Sequence, residues 1–248
     1  MVKHILITGG SRGIGRAIAI MAGQRGWSVG VNYAGNANAA EGTVKEVIAA
    51  GGKAIAIRGD VSVEADVIAM FEASEKAFGK LDALVNNAGI VGEKQPFADY
   101  SLERMKRMFE INVLGAYLCA REATRRMAKS RGGKGGDIVN ISSIAGRLGS
   151  PGEYIDYAGS KGAVDTMTIG LARELAQDGV RVNAVRPGLT DTEIHASGGQ
   201  PDRAARLGAT TPMGRAGTAE EVAEAAIWLI ENKSDYLIGA LLDVSGGR

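Results

Sequence analysis

Along the chain, short runs of Ile, Val, Leu and Ala alternate with longer stretches whose apolar positions recur at helical spacing. The short runs fall at residues 4–8, 29–33, 54–58, 83–86, 137–141, 180–185 and 241–244, and each reads as a strand. They are almost continuously apolar, which is what a sheet covered on both faces requires. Between them, residues 14–25, 39–50, 64–78, 102–127, 157–177 and 219–231 predict helices. Strand and helix taking turns in this way predict an α/β fold, a doubly wound parallel sheet of about seven strands flanked by helices on both faces. Right-handed crossovers then put the loops that follow the strands on one edge, where ligands bind.

One connection breaks the short-loop pattern. Between Pro187 and Arg215 lie Gly188, Gly198, Gly199, Pro201, Gly208, Pro212 and Gly214, with only a weak helical signal. A connection of that length is a lid, a binding loop or a disordered segment. A substrate lid at about residues 188–215 is the expectation. No Pro-rich, Ser-rich or charge-block linker divides the chain, so residues 1–248 are expected to form one catalytic domain.

Hydrophobic residues make up 45% of the chain and charged ones 23%, enough to build a core without disulfides. The net charge is +1, from 29 basic and 28 acidic residues. The one dense basic cluster, Arg125, Arg126, Lys129, Arg131 and Lys134, sits at a helix end and in a Gly-rich loop. It reads as a solvated surface, so no nucleic-acid partner is expected. A single cysteine, Cys119, excludes an internal disulfide and suits a reducing compartment. Its neighbours Ala116, Leu118 and Ala120 make it a structural thiol rather than a nucleophile. No basic stretch leads into a signal-length apolar segment, and no run approaches about 20 apolar residues. The cytoplasm is the expected location, with no membrane partner and no metal site.

The first strand ends in Thr8-Gly9-Gly10-Ser11-Arg12-Gly13-Ile14-Gly15, and a helical pattern begins at Ile14. Glycines 9, 13 and 15 let the backbone turn sharply and approach a pyrophosphate, and the helix start offers free N–H groups and a positive dipole end. The spacing is G-x3-G-x-G, not the better-known G-x-G-x-x-G. Alone, such a turn can be merely a tight connection; placed after the first strand, it points to a Rossmann-like dinucleotide site. The second strand ends Val31-Asn32-Tyr33-Ala34, without the carboxylate that an NAD site places against the adenosine ribose. Arg12 supplies a positive charge for a 2′-phosphate, with a solvated loop residue as the lesser alternative. NADP(H) is therefore expected over NAD(H).

Tyr157 and Lys161 stand four apart at the opening of a helix, so both face the same way. A nearby ammonium would favour the phenolate and fit the tyrosine for acid–base work. The pair alone is a weak motif. Ser142 and Ser143 follow the strand at 137–141, at the same edge as the glycine loop; a hydroxyl there can hold a substrate oxygen or simply cap a turn. Asn112 lies within the helix at 102–127, where Asn is intrinsically poor, as a functional group or as a satisfied buried amide.

Taken together, these motifs closely resemble the short-chain dehydrogenase/reductase family over essentially the whole chain. The resemblance is carried by Thr8 to Gly15, Asp60-Val61, Asn86-Asn87-Ala88-Gly89, Asn112, Ser143, Tyr157-x-x-x-Lys161 and Pro187-Gly188, all in family order. Within the family the chain is similar to bacterial NADP(H)-dependent carbonyl reductases grouped with glucose dehydrogenases and acyl-carrier-protein ketoreductases. The resemblance implies Tyr157 as general acid in reduction and base in oxidation. Lys161 would lower its pKa and hold the nicotinamide ribose, Ser143 would hydrogen-bond the substrate oxygen, and Asn112 would anchor a water in a proton relay. Asp60 and Val61 would contact the adenine; Asn86, Ala88 and Gly89 would line the cofactor, together with Gly9, Ser11, Arg12, Gly13, Ile14, Gly15, Asn32 and Tyr33. Thr190 and Thr192, after Pro187 and Gly188, would meet the carboxamide, and Asn87 would stabilise the central sheet rather than touch ligand.

Fourteen positions separate Ser143 from Tyr157, one more than in many members, because of Ser150-Pro151-Gly152-Glu153-Tyr154. The extra residue would reshape the pocket and leaves Ser142 as a weaker rival for the serine role. Glu153, Tyr154 and His195 are candidate substrate-pocket residues, with an exposed loop histidine as the plain alternative for His195. A small-molecule carbonyl or alcohol is the expected partner. A general carbonyl reductase leads, with a 3-ketoacyl thioester reductase and a glucose-type sugar 1-dehydrogenase as narrower options. The non-enzyme alternative is an NADP-sensing regulator. The resemblance further suggests a homotetramer, with the helices at 102–127 and 157–177 at one two-fold interface and the strand at 241–244 with the tail to Arg248 at another.

Overall fold

The structure is a computed structural model that describes residues 3–232 and 234–248. Seven strands form one parallel sheet in the order β3-β2-β1-β4-β5-β6-β7. They are β1 (His4–Ile7), β2 (Ser28–Tyr33), β3 (Lys53–Arg58), β4 (Ala83–Asn86), β5 (Gly136–Ile141), β6 (Val180–Pro187) and β7 (Leu241–Val244). The order reverses between β1 and β4, the switch point that opens a crevice at the carboxyl edge of a doubly wound sheet.

Burial on both faces explains why the strands read as continuous apolar runs. Ile5 and Ile7 of β1 and Val85 of β4 face one layer, built on α1 (Gly13–Gln24), α2 (Ala37–Ala49) and α10 (Ala219–Glu231). Leu6 of β1, Leu84 of β4 and Ile138 of β5 face the other. That second layer holds α3 (Glu64–Phe78), α5 (Ala116–Met127) and α7 (Ile155–Leu175), with α4 (Leu102–Phe109) packed against α7. Each strand residue alternates sides as the pleat demands, and both sides are core.

The stretch expected as one helix over 102–127 is interrupted. Between α4 and α5 the backbone widens into a π turn, Glu110–Gly115. Such bulges re-aim side chains, and this one carries Asn112 inward to bond a neighbouring loop. The long connection after β6 holds two short helices, α8 (Ile194–Ser197) and α9 (Arg203–Gly208), and α6 (Ala145–Leu148) follows β5.

The basic cluster at the end of α5 is partly neutralised by ion pairs. Arg125 Nη1 donates to Glu122 Oε1 at 2.6 Å, Arg126 Nη1 lies 2.5 Å from Glu122 Oε2, and Lys134 Nζ lies 2.7 Å from Asp82 Oδ1. Cys119 is buried, and burial pushes its thiol up to about 12, as befits a structural residue. Among the described residues, no helix is long and apolar enough to cross a membrane.

Candidate active site

A cleft of about 790 Å³ runs along the carboxyl edge of the sheet, from the glycine loop after β1 to the start of α7 and the segment after β6. The glycine loop is locked from behind. Thr8 Oγ1 accepts from the amides of Asn87 and Ala88, both at 3.0 Å, and Asn87 Nδ2 donates to the Thr8 and Gly9 carbonyls at 2.9 Å. Gly9 adopts φ +62°, and a Cβ at Gly15 would lie 2.4 Å from Asn87 Nδ2 and 2.5 Å from the Gly9 carbonyl oxygen. No side chain larger than hydrogen fits there. The first turn of α1 lacks a side-chain cap at Arg12, whereas Asn36 and Thr218 cap α2 and α10. Its amides remain available to an anion at the cleft wall.

These features fit a dinucleotide. Gly9, Ser11, Arg12, Gly13 and Ile14 line one end, followed by Asn32, Tyr33, Asp60 and Val61. Ala88 and Gly89 continue the wall toward Tyr157 and Lys161, with Pro187, Gly188, Thr190 and Thr192 opposite. The loop after β2 contributes Ala34, Gly35 and Asn36 to the wall and no carboxylate. Asn32 is a strap: its Oδ1 accepts from the Gly9 amide at 3.1 Å, and its Nδ2 donates to the carbonyls of Gly59 and Ile57. Asp60 is also tied down, accepting from Ser62 at 2.6 Å and from Arg107 at 2.9 Å. Burial opposes its ionisation, but these bonds win and hold the carboxyl below the ordinary range.

Three expected residues lie behind the wall rather than in it. Gly15 serves packing. Asn86 Nδ2 donates to Asn140 Oδ1 at 3.0 Å and to the Ala116 carbonyl, joining β4 to β5 and α5. Asn86 thus joins the sheet rather than the cleft wall, against the sequence expectation, whereas Asn87 ties the end of β1 to β4 as expected and also borders the cleft. The alternation of a strand end decides which of two adjacent asparagines faces outward. Asn112, 1% exposed, exchanges hydrogen bonds with the Ile90 backbone at 2.8 and 2.9 Å and donates to Ser160 Oγ at 3.1 Å. Its amide is spent on holding the loop after β4 against α7.

At the floor, α7 aims the titratable pair. Asp156 and Arg104 form a buried double contact at 2.8 and 3.1 Å that fixes the start of α7 against α4. Tyr157 borders the cleft one residue later. Lys161 is 5% exposed and donates to the Ile141 carbonyl at 2.7 Å, with its ammonium 5.6 Å from the Tyr157 ring centroid. Burial holds its pKa down to about 8, and Asp165 pulls it back up. The phenol does not follow the sequence expectation of a lowered pKa. Burial pushes Tyr157 up, with only the Ser143 hydroxyl pulling down, because Lys161 is turned to a carbonyl rather than to the phenol.

Both serines border the cleft, with different partners. Ser142 donates to the Lys161 carbonyl at 3.2 Å, a structural contact. Ser143 Oγ accepts from the Ala145 amide at 3.1 Å and stands beside Tyr157. Geometry thus favours Ser143 of the two.

The far end of the cleft is closed by the segment after β6. Arg203, at the start of α9, is 9% exposed and donates to both oxygens of Glu153 at 2.8 and 2.6 Å. Arg203 holds the Glu153 carboxyl below its usual range. Tyr154 is capped by Arg203, 5.3 Å from its ring, and hydrogen-bonded by Gln200; burial pushes its phenol up. The extra loop thus anchors the covering segment. His195 faces the cleft, its Nε2 2.8 Å from the Thr190 carbonyl oxygen, and burial lowers its pKa, which disfavours the charged ring. Arg203 and Gln200 escaped the sequence reading because residues 188–215 carry too weak a periodicity to show which side chains turn inward, and Arg107 escaped it because its partner Asp60 is remote in sequence. The length of the 150–154 loop was the one available signal.

The profile of the family described as Enoyl-(Acyl carrier protein) reductase matches residues 9–248. An uncharacterized oxidoreductase, YgfF, of Escherichia coli (strain K12) is 51% identical over 98% of each chain. A 3-ketoacyl-(acyl-carrier-protein) reductase from Brucella melitensis, complexed with NADH, superposes with a TM-score of 0.90 at 33% identity, covering 99% of this chain and 98% of that one. A short chain dehydrogenase from Burkholderia cenocepacia in complex with NADP gives 0.89 at 32% identity, covering 99% and 97%. On the strength of this full-length match, the chain belongs to the short-chain dehydrogenase/reductase family of oxidoreductases.

Proposed function

We propose that this chain interconverts a small carbonyl compound and its alcohol with NADP(H), within one domain covered at the substrate end by residues 188–215. The observation that carries the reading is the meeting of Tyr157, Ser143 and Lys161 at the floor of a cleft whose other end is an uncapped, glycine-lined helix start. The residues present suit a nicotinamide dinucleotide: amides of the first turn of α1 for the pyrophosphate, Thr190 and Thr192 for the carboxamide, and Lys161 for the ribose hydroxyls. When bound, that cofactor supplies or takes the hydride.

The protein's own part is binding and proton movement. In reduction, negative charge builds on the substrate oxygen, and hydroxyl donors already in place stabilise it. Ser143 holds that oxygen, and the Tyr157 hydroxyl donates the proton to it. A phenol kept protonated by burial is ready for that step. In the reverse direction Tyr157 has to enter as the phenolate to take the proton of the alcohol, and the ammonium of Lys161, 5.6 Å from its ring centroid, is a positive charge that favours that form. Asn112 contributes by holding Ile90 and Ser160, and so the shape of the floor.

NADP(H) is favoured over NAD(H) because the wall after β2 offers no carboxylate to repel a 2′-phosphate and Arg12 stands exposed at the loop beside it. The imidazole of His195, its charged form disfavoured by burial, and the Glu153–Arg203 pair would define the substrate end. Leu102, Phe109, Leu114, Tyr117 and Ile155 are exposed apolar side chains along α4, α5 and the start of α7, which supports a homotetramer with that face as one two-fold interface.

Replacing Tyr157 with Phe removes one oxygen and little else. NADPH oxidation against a panel of ketones, aldehydes, quinones, ketoacyl thioesters and sugar lactones should fall by about 100-fold or more, with NADPH binding retained. Wild-type rates in Tyr157→Phe would end the mechanism. For the wild type, kcat/KM should favour NADPH over NADH by about tenfold, and Arg12→Ala should erase most of that margin. A preference for NADH would reverse the coenzyme assignment. Light scattering should return the mass of four chains; a monomer would remove the interface.

A further inference from the structure

Behind the cleft lies a buried carboxylate that the reaction proposed above does not use. Asp165 sits one helical turn beyond Lys161 on α7 and is 9% exposed. Its Oδ1 has no hydrogen-bond partner among the described residues. Its Oδ2 lies 3.6 Å from Arg186 Nη1, on β6. Arg186 Nε donates to Asp243 Oδ1 of β7 at 2.5 Å, and Asp243 Oδ2 accepts from Arg147 of α6 at 2.8 Å. Asp165, Arg186, Asp243 and Arg147 therefore form a row of alternating charge that runs out to the surface, with Lys161 one helical turn before Asp165 at its inner end.

A buried carboxylate with an idle oxygen is costly, and it persists where a nearby charge repays it. A helical side chain covers the turn N-terminal to its own Cα, so Asp165 leans back toward Lys161. The other groups set around that lysine are neutral. They are Tyr157 of α7, Asn112 of the π turn behind Gly89, and the hydroxyls of Ser142 and Ser143 with the Ile141 carbonyl at the end of β5. The Ser142 hydroxyl, beside Asp165, donates to the Lys161 carbonyl at 3.2 Å. Burial raises the Asp165 carboxyl, and Ser142, Arg186 and Lys161 oppose that rise; Asp165 in turn opposes the effect of burial on Lys161, and Arg186 competes for it.

We propose that Asp165 is a positioning residue for the reaction: its buried carboxylate, shared between Lys161 and Arg186, keeps the Lys161 side chain a charged ammonium at the cleft floor. The inference rests on the oxidoreductase reading, in which Lys161 works as an ammonium. With Asp165 gone, burial acts on the lysine unopposed, and it loses its proton at lower pH. With Arg186 gone, the carboxylate serves the lysine alone, and the proton is held to higher pH.

The test follows two readouts in Asp165→Asn, Arg186→Gln and Asp165→Glu. One is the pH profile of NADPH-dependent carbonyl reduction. The other is the NMR titration of the Lys161 ε-carbon in protein labelled with 13C-lysine, assigned by its loss in Lys161→Ala. In Asp165→Asn the alkaline limb and the lysine midpoint should both move down by about one pH unit. In Arg186→Gln both should move up, and Asp165→Glu should restore most of the wild-type profile. An unmoved lysine midpoint, or the same direction of shift in the Asn and Gln variants, overturns the proposal. If the wild type reduces no carbonyl, the oxidoreductase reading fails, and the NMR midpoint still decides what Asp165 does to Lys161. Should Asp165→Asn fail to fold by circular dichroism, Arg186→Gln decides: a midpoint that stays or falls overturns the idea.

Discussion

Lys161 gives up its water to donate one hydrogen bond, 2.7 Å long, to the carbonyl of Ile141 at the end of β5. Burying an ammonium is expensive, and the surrounding structure is arranged so that it can be tolerated. The end of β5 supplies the acceptor, Asp165 supplies opposite charge from the next turn of α7, and the π turn with Asn112 fixes the wall behind Gly89. A lysine whose pKa is brought down to about 8 stands near neutrality, where small changes around it alter its charge. The phenol beside it is pushed the other way by the same burial. Two groups with opposing shifts then share one floor, and of the two it is Lys161 that is brought toward neutrality.

The sheet makes this meeting possible. Because all seven strands run parallel, the loops after β1, β4, β5 and β6 open on one edge, and the reversal between β1 and β4 leaves a crevice there. Thr8 and Asn87 tie the first two loops together across that reversal. The glycine loop is consequently rigid before any ligand arrives, which reduces the ordering that binding would otherwise require. At the opposite end, a bidentate ion pair of Arg203 with Glu153, with Gln200 and Arg203 also on Tyr154, ties α9 and its approach to the loop preceding α7.

Much of this was legible in the residues. Continuous apolar runs revealed every strand to within two residues, since a strand buried on both faces has no polar side to blur the pattern. The glycine loop and the Tyr157–Lys161 pair were equally plain, because their chemistry is local: a turn that needs glycine, and two side chains one helical turn apart. What escaped depends on through-space neighbours. Asn112 looks like any unfavourable residue in a helix until the π turn and Ile90 are seen together. Asn86 and Asn87 differ only in which way the end of β4 points them. The direction of the Tyr157 shift was misjudged because spacing along a helix places Lys161 near the ring without saying where its ammonium is aimed. Arg203 lay hidden in a stretch whose helical signal is weak.

The most direct test is a crystal structure of the protein with NADP+ and a bound ketone or alcohol. The account predicts the pyrophosphate on the amides at the start of α1, and the nicotinamide between Thr190 and Tyr157. The Tyr157 hydroxyl and Ser143 should then stand within hydrogen-bonding distance of the substrate oxygen, about 2.6–3.2 Å. A phenol turned away from the nicotinamide, with Lys161 out in solvent, would contradict it.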